Sequence, residues 1–593
     1  MIERDPTKAS VNDATVAWSP PSPTVTEDLT PTPAVPVERP AGASRLRWGI
    51  ALVVTVIVVA IAAAAFSLLA GQTAPSKLLG YVPADSVIYG EVRLDLPGDQ
   101  RQKLGEFLSK FPGFADQSTL DAKLDEAFDR IVRGATKDSQ DYTTKIKPWF
   151  GGQIGFSVGK LPTAGATSEG HGLLIVSITD AAKAKAWFDD VSASLTKTSA
   201  AYNGVDLVLI GEGTKKGAVG IAGNVMLAGD EASVKAAIDS KGSGSFASNE
   251  RFTKSQAALS GDGLGYLFLD GSAYVDWLST MAAGSPAPPI ALDDATKRLI
   301  PAWVVVRLQA RGDAIAFEAV APSVPTKVNR QNRVSKLAPH LPPTTIAIVD
   351  AHDYGPALLE LIDIYRNNPS TKEAFKQADQ AASLIGGFNA LLGWMEDAGV
   401  VITRDGGSVN GGLVFTALDR AAGERLLTTL RSFAILGGGQ SGITVRDEKD
   451  GDTTITIIDL GDLKDLGAAA GAGTLPPIEG HAQIAYASTA DLIVVGVGDT
   501  FVKSVLDTKP GSSLADDSRF KSLIGRVGES NVGDAFVDIT AVRELVESIA
   551  AKQPAYGAYL TDYKPYLVPL DAYIQATVID GALDRSTGVV VTK

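Results

Sequence analysis

The pattern of apolar and polar positions switches period many times after residue 76, and each switch marks an element. Residues 86–92 alternate β-branched and aromatic positions with polar ones, which predicts a strand. Residues 118–133 place Leu120, Leu124, Phe128, Ile131 and Val132 on one face of a helix. Ser118 is the expected N-cap of that helix and Gly134 its expected left-handed exit. Strands are predicted at 150–158 and 172–178, then a helix at 180–195. A run of short strands with Gly-rich turns follows at 205–210, 218–222 and 225–228. Helices at 231–239 and 249–259, a strand at 264–269, a helix at 272–280 and strands at 304–309 and 314–319 complete the series. Hairpin-like runs with segregated helices predict an α+β fold with a mixed, largely antiparallel sheet.

One run has no amphipathic period. Residues 49–70, GIALVVTVIVVAIAAAAFSLLA, carry no charge, and none occurs between Arg47 and Lys77. A helix of that length spans roughly 33 Å at about 1.5 Å per residue, enough to cross a ~30 Å hydrocarbon core. Trp48 stands at the interface, and Arg45 and Arg47 flank its N-terminal side. The positive-inside rule therefore predicts a single-pass cell-membrane protein, with 1–48 cytoplasmic and the body extracytoplasmic. A cleaved signal peptide is the weaker reading, because the preceding region is long and holds six acidic residues. Residues 1–48 hold eight prolines and six threonines, which predicts a disordered tail. Its Ser-Pro and Thr-Pro pairs could take phosphate, but composition alone explains them as a solvated spacer.

The body repeats itself. Arg251-Phe252 matches Arg519-Phe520, and Asp270 matches Asp538, each 268 positions apart. Val234-Lys235 and Asp239 match Val502-Lys503 and Asp507 at the same offset. VPADSVIYGEV (82–92) aligns with LPPTTIAIVDA (341–351), setting Glu91 over Asp350, and Trp149 aligns with Trp394. Matched blocks in the same order predict a tandem duplication. Copy one is 77–322, a polar linker is 323–335, and copy two is 336–593. Asp270 and Asp538 each close a strand and open a helix, so both are expected N-caps.

Chemistry is sparse. Across 593 residues there are 54 basic and 68 acidic side chains, a formal charge of −14, so no nucleic-acid partner is expected. Having no cysteine removes disulfides, Cys-ligated metals and thiol catalysis. The four histidines, His171, His340, His352 and His481, form no H-x-x-x-H or H-x-H pattern and read as surface or turn residues. His352-Asp353 is the one adjacent His–carboxylate pair. No G-x-S-x-G and no phosphate loop occurs. Two S-x-x-K matches, at Ser194 and Ser518, lack the accompanying motifs of penicillin-binding enzymes. The acidic run 447–452 reads as a hairpin turn around Asp450-Gly451 rather than a calcium loop. No catalytic, metal or cofactor-binding residue is therefore expected.

LLGYVPADSVIYGEVRLDLPGDQRQKLGEFLSKFPGF (78–114), followed by IKPWFGGQIGFSV (146–158), resembles a bacterial family, many of its members actinobacterial, catalogued as a domain of unknown function. The resemblance covers roughly 78–590. It implies a membrane-anchored, extracytoplasmic domain and brings no catalytic residues. Copy two departs from it, with Gly393-Trp394-Met395 in place of Pro148-Trp149-Phe150. The expected function is non-catalytic binding of a protein or envelope component in a groove between the copies. Carriage of a lipid or other apolar ligand is the second expectation, and a hydrolase-type enzyme without a recognisable motif the third. Clustering of His352 and Asp353 with Glu91 or Asp270 would favour the third.

Overall fold

The computed structural model describes residues 76–159, 171–211, 216–241, 244–283, 293–441, 443–462, 481–551 and 556–593. The tail 1–48 and the apolar segment 49–70 lie outside the described residues. Among those described, no helix is long and apolar enough to cross a membrane.

Among the described residues, twenty strands form one antiparallel sheet. In chain order the first ten are β1 (Ile88–Arg93), β2 (Phe150–Val158), β3 (Gly172–Ile178), β4 (Lys197–Tyr202), β5 (Val205–Ile210), β6 (Gly217–Ala222), β7 (Val225–Asp230), β8 (Gly265–Asp270), β9 (Trp303–Ala310) and β10 (Ala314–Pro322). The next ten are β11 (Thr345–Ala351), β12 (Met395–Asp405), β13 (Ser408–Ala417), β14 (Thr444–Asp450), β15 (Thr453–Asp462), β16 (His481–Ser488), β17 (Ile493–Val497), β18 (Gly533–Asp538), β19 (Leu570–Asp580) and β20 (Leu583–Thr592). Hydrogen bonding orders the first ten as β4-β5-β6-β7-β3-β2-β1-β8-β9-β10. The second ten follow the same order, β14-β15-β16-β17-β13-β12-β11-β18-β19-β20.

The two series meet where β10 pairs with β20, from Ala314 opposite Val591 to Pro322 opposite Leu583. A seam of paired strands thus stands where a groove between domains was expected. The cores cross it on one face of the sheet. Ala314 and Ala316 of β10 pack into the core built from Ile348, Val401, Val494, Phe501 and Phe536. Val320, two turns of the pleat further on, packs into the core of Tyr89, Ile175, Leu227, Phe252 and Phe268. Helices Glu231–Asp239 and Glu250–Ala257 cover this face in the first half, and Asp499–Leu506 and Ser518–Gly525 cover it in the second. Phe501 lies so close over Gly412 that a Cβ there would meet its ring at 2.5 Å.

Polar groups also cross the seam. Glu318 on β10 accepts from Arg307 on β9 and from Arg585 on β20, and both Arg307 and Glu318 are buried. Arg307 donates further to the carbonyls of Ser260 and Gly261.

Local signals resolve differently in two places. Ser118 does not cap the helix Leu120–Thr136: Thr119 stands at its N-cap without a side-chain bond, and Asp116 instead caps a 3₁₀ turn, Gln117–Thr119, ahead of it, its carboxylate accepting from the Ser118 N–H. The left-handed exit is Lys137 at φ 53°, not Gly134, since the helix runs a further turn. The hairpin at Asp450-Gly451 forms as expected, with Gly451 at φ +56° and Asp450 opposite Thr453.

Replacing Glu318 by Ala strands two arginines at the seam. It is expected to cost about 3–5 kcal/mol in urea unfolding, the scale for breaking a buried ion pair. A cost within ~1 kcal/mol, typical of exposed pairs, contradicts a buried seam.

Candidate functional site

Each half sets one carboxylate on the core face of its central strand, where an unpartnered polar group is costly. Glu91 on β1 lies opposite Gly155 and Tyr266. Asp350 on β11 lies opposite Gly399 and Asp534. Both receive a serine hydroxyl from the segment leading into the half. Ser76 Oγ donates to Glu91 Oε2 at 2.6 Å and accepts from the N–H groups of Leu78 and Leu79. Ser335 Oγ donates to Asp350 Oδ2 and accepts from those of Leu337 and Ala338.

From there the two sites diverge. In the first half Tyr89 and Tyr266 also donate to Glu91 Oε2, at 2.6 and 3.2 Å, and Arg93 Nε stands 3.7 Å from Oε1. Burial pushes the Glu91 carboxyl above its ordinary value, against the pull of its hydroxyl donors. Burial, with the Glu91 charge beside them, also raises both phenols.

In the second half Ile348 takes the place of Tyr89, Asp534 that of Tyr266, and His352 that of Arg93. Asp350 keeps its serine and loses both phenols. Among the described residues its Oδ1 has no hydrogen-bond partner. His352 Nε2 stands 3.6 Å from Asp350 Oδ2, beyond hydrogen-bond length, and the imidazole side chain is 0% exposed. Among the described residues neither of its ring nitrogens has a hydrogen-bond partner. Asp534 Oδ2 accepts from Asn531 Nδ2 at 3.3 Å. One donor atom from each of Asp350, His352 and Asp534 lies within 4.8 Å of the others, so these three side chains could hold a metal ion.

Electrostatics follow from that shortage of donors. Burial, with the Asp350 carboxylate opposite, pushes the Asp534 carboxyl up to about 7. Burial would lower the His352 imidazole, but Asp350 and Asp397 override it and hold it above its ordinary value. Arg333 is committed elsewhere. It donates twice to buried Asp397 and stands 3.5 Å from Asp353 Oδ1. Asp353 itself sits at φ 53°, a left-handed conformation that Asp tolerates, and opens helix Tyr354–Asn367.

Sequence reasoning placed these groups unevenly. His352 is buried, not at the surface: it follows the last residue of β11 directly, on the same side as Ile348 and Asp350, with its ring beside Asp350. Asp353 turns to Arg333 instead of joining it, and Glu91 and Asp270 serve the other half. Asp270 and Asp538 are helix N-caps as expected, accepting from Ala273 and Ala541, and they pair with Arg251 and Arg519 at 2.8 and 2.7 Å. His481 is exposed beside Asp459, and His171 stands 3.3 Å from Asp230. Trp149 and Trp394 are core anchors, each buried and donating to a backbone carbonyl. Ser76, Ser335 and Asp534 escaped notice. A Ser-Lys-Leu triplet followed fifteen residues after its serine by a carboxylate, present at 76–91 and at 335–350, was the available signal.

The opposite face of the same second-half strands carries a different feature. Val349, Val400 and Leu413 are cross-strand neighbours in one row, and Ile402, Val497 and Ile484 lie one pleat further along. All six are exposed, Val400 at 55% and Val497 at 75%. One end of this face is covered by the cluster of Trp394, Phe415, Leu426 and Ile493. At the other end Arg404 donates to Ala541 O and Glu544 of helix Ile539–Ala550, whose Val546 and Ile549 are exposed. In the first half the position matching Leu413 is Leu174, which is buried, and Phe156 lies across Gly90.

A family model described as a protein of unknown function, DUF3352, matches residues 49–560. The chain belongs to the DUF3352 family. This is the kind of family that the blocks at 78–114 and 146–158 imply. No curated protein matches the chain. Among solved structures, crystal form I of TP0453 is similar at 11% identity, covering 43% of this chain and 82% of that one with a TM-score of 0.23. Crystal form III of TP0453 is similar at 13% identity, covering 43% and 83% with a TM-score of 0.23.

The raised Asp534 carboxyl makes stability depend on pH. Its folded value of about 7 exceeds the ordinary 3.8, so the folded state holds a proton that the unfolded chain releases. That stabilisation is complete below about pH 4 and is lost as pH rises through 7, at up to roughly 1.4 kcal/mol per pH unit. His352, also raised, acts with the same sign: its contribution is present below 6.5 and lost above its folded value. In a chelating buffer, urea midpoints of the wild type are expected to fall between pH 4.5 and 7.5 relative to those of Asp534→Asn. Parallel curves for the two proteins contradict the buried, donor-poor setting of Asp534.

Proposed function

We propose that this DUF3352 protein is a single-pass cell-membrane protein whose extracytoplasmic body, a tandem duplication of one α+β unit, binds a lipid acyl chain of the envelope without catalysis. The identical strand order of β1–β10 and β11–β20 supports the duplication. The apolar stretch at 49–70, with Arg45 and Arg47 before it, supports the anchor and its orientation. Only residues 71–75 separate that stretch from Ser76, and five residues extend at most about 18 Å. The body is therefore tethered within reach of a hydrocarbon phase.

The observation that carries the binding reading is the exposed apolar strip of Val349, Val400, Ile402, Leu413, Ile484 and Val497. Contiguous exposed apolar surface of this kind marks interaction sites. Its six side chains carry no charge for a polar ligand to read, and it runs between the Trp394 cluster at one end and helix Ile539–Ala550 at the other. An extended alkyl chain matches that chemistry, with roughly 0.8 kcal/mol gained per CH₂ removed from water.

Mass spectrometry of the full-length protein purified from membranes is expected to find co-purified lipid in the wild type. The double variant Val400→Asp/Leu413→Asp, in the same detergent, is expected to lose most of it. A wild type free of lipid, or equal lipid content in both proteins, refutes the reading.

A further inference from the structure

We propose that Asp350, His352 and Asp534 form a binding site for one divalent metal ion of the zinc or manganese class in the second half of the sheet. Acidic side chains close together do not make such a site alone. The second observation is His352, an imidazole with a fully buried side chain, facing Asp350 and without a hydrogen-bond partner on either ring nitrogen among the described residues. Buried polar groups are nearly always partnered, and an imidazole nitrogen aimed at two carboxylates is a metal-ligand arrangement.

The first half serves as an internal control. There Oε2 of the equivalent carboxylate takes three hydroxyl donors, and Oε1, without a hydrogen-bond partner among the described residues, faces a guanidinium at 3.7 Å. The second half exchanges both phenols and the guanidinium for an isoleucine, a second carboxylate and an imidazole. That exchange removes hydrogen-bond donors and adds lone pairs, which is what a cation needs. Two carboxylates balance the charge of a divalent ion. The nearby Arg333 charge is neutralised by Asp397.

Ligand type narrows the ion. An imidazole with two carboxylates suits Zn²⁺ or Mn²⁺ over Mg²⁺ and Ca²⁺, which favour all-oxygen sets. Ligand bonds of about 2.0–2.2 Å place donor atoms about 3 Å apart. The 4.8 Å spread closes by side-chain rotation of roughly that difference. Ser335 and Asn531, each bonded to one carboxylate, would orient the ligands from outside. Both ends of the grip come from strands that are direct neighbours, so the ion would clamp β11 to β18.

The test is calorimetric titration of chelator-stripped full-length protein in detergent with ZnCl₂, MnCl₂ and MgCl₂ separately. One equivalent of Zn²⁺ or Mn²⁺ is expected to bind, with Mg²⁺ at least tenfold weaker. His352→Gln and Asp534→Asn are each expected to weaken binding roughly tenfold or more. Glu91→Gln in the first half and His481→Gln at the exposed Asp459 pair are expected to leave it unchanged. No saturable single site, undiminished binding by His352→Gln, or loss of binding in His481→Gln overturns the proposal. X-ray absorption of the zinc-loaded wild type covers the case of a variant that does not fold. One imidazole among oxygen ligands is expected, and a spectrum without imidazole scattering overturns the proposal.

Discussion

Glu318, held between Arg307 and Arg585, sits at the seam where the two halves of this protein become a single sheet. The nine paired positions of β10 and β20 around it remove two edge strands at once. Unpaired edges are templates for aggregation, and pairing one edge with the other disposes of both. The core follows the same logic. Ala314 and Ala316 belong by sequence to the first half and pack into the second, so neither half completes its interior alone. The burial of Glu318 costs desolvation, which two guanidinium partners and an apolar surround offset only if the seam stays closed.

On that common frame the halves differ in what their central strands hold. Facing positions on β1 and β8 aim two phenols at one oxygen of Glu91 and leave a guanidinium near the other. Facing positions on β11 and β18 make an open set of acceptors around Asp350. Backbone register is the same in both, so three side-chain exchanges account for the difference. The outer face differs too. Leu174 is covered, whereas Leu413 and its neighbours are bare. Both unusual features therefore fall in the second half, on opposite faces of the same strands. A clamp between β11 and β18 on one face would stiffen the platform that presents the apolar strip on the other.

Much of the architecture was legible from residue spacing. Matches 268 positions apart, such as Asp270 with Asp538, mark equivalent helix caps because both follow a central strand and both carry the same arginine partner. Trp149 and Trp394 were equally readable, since an indole at a strand entrance needs a core. The seam was not readable. Residues 314–322 and 583–592 look like ordinary closing strands, and which edge meets which depends on long-range pairing that no local period encodes. Nor was the buried cluster. His352 and Asp534 lie 182 positions apart, and His352 stands just past the end of its strand, where a histidine before an aspartate reads as a turn residue. The paired Ser-Lys-Leu segments held the clue, but a serine that caps a turn and a serine that feeds a buried carboxylate look the same until the fold brings the carboxylate to it.

The most direct measurement of this arrangement is amide hydrogen exchange of the full-length protein, read residue by residue over 314–322 and 583–592. A strand at a free edge protects only every other amide, those pointing into its own sheet, whereas a strand paired on both sides protects both sets. With the halves joined through β10 and β20, both alternating sets in both strands are expected to exchange as slowly as those of β1 and β11. Rapid exchange of one alternating set in both strands would mean two separate sheets, and would contradict the fused architecture on which the rest depends.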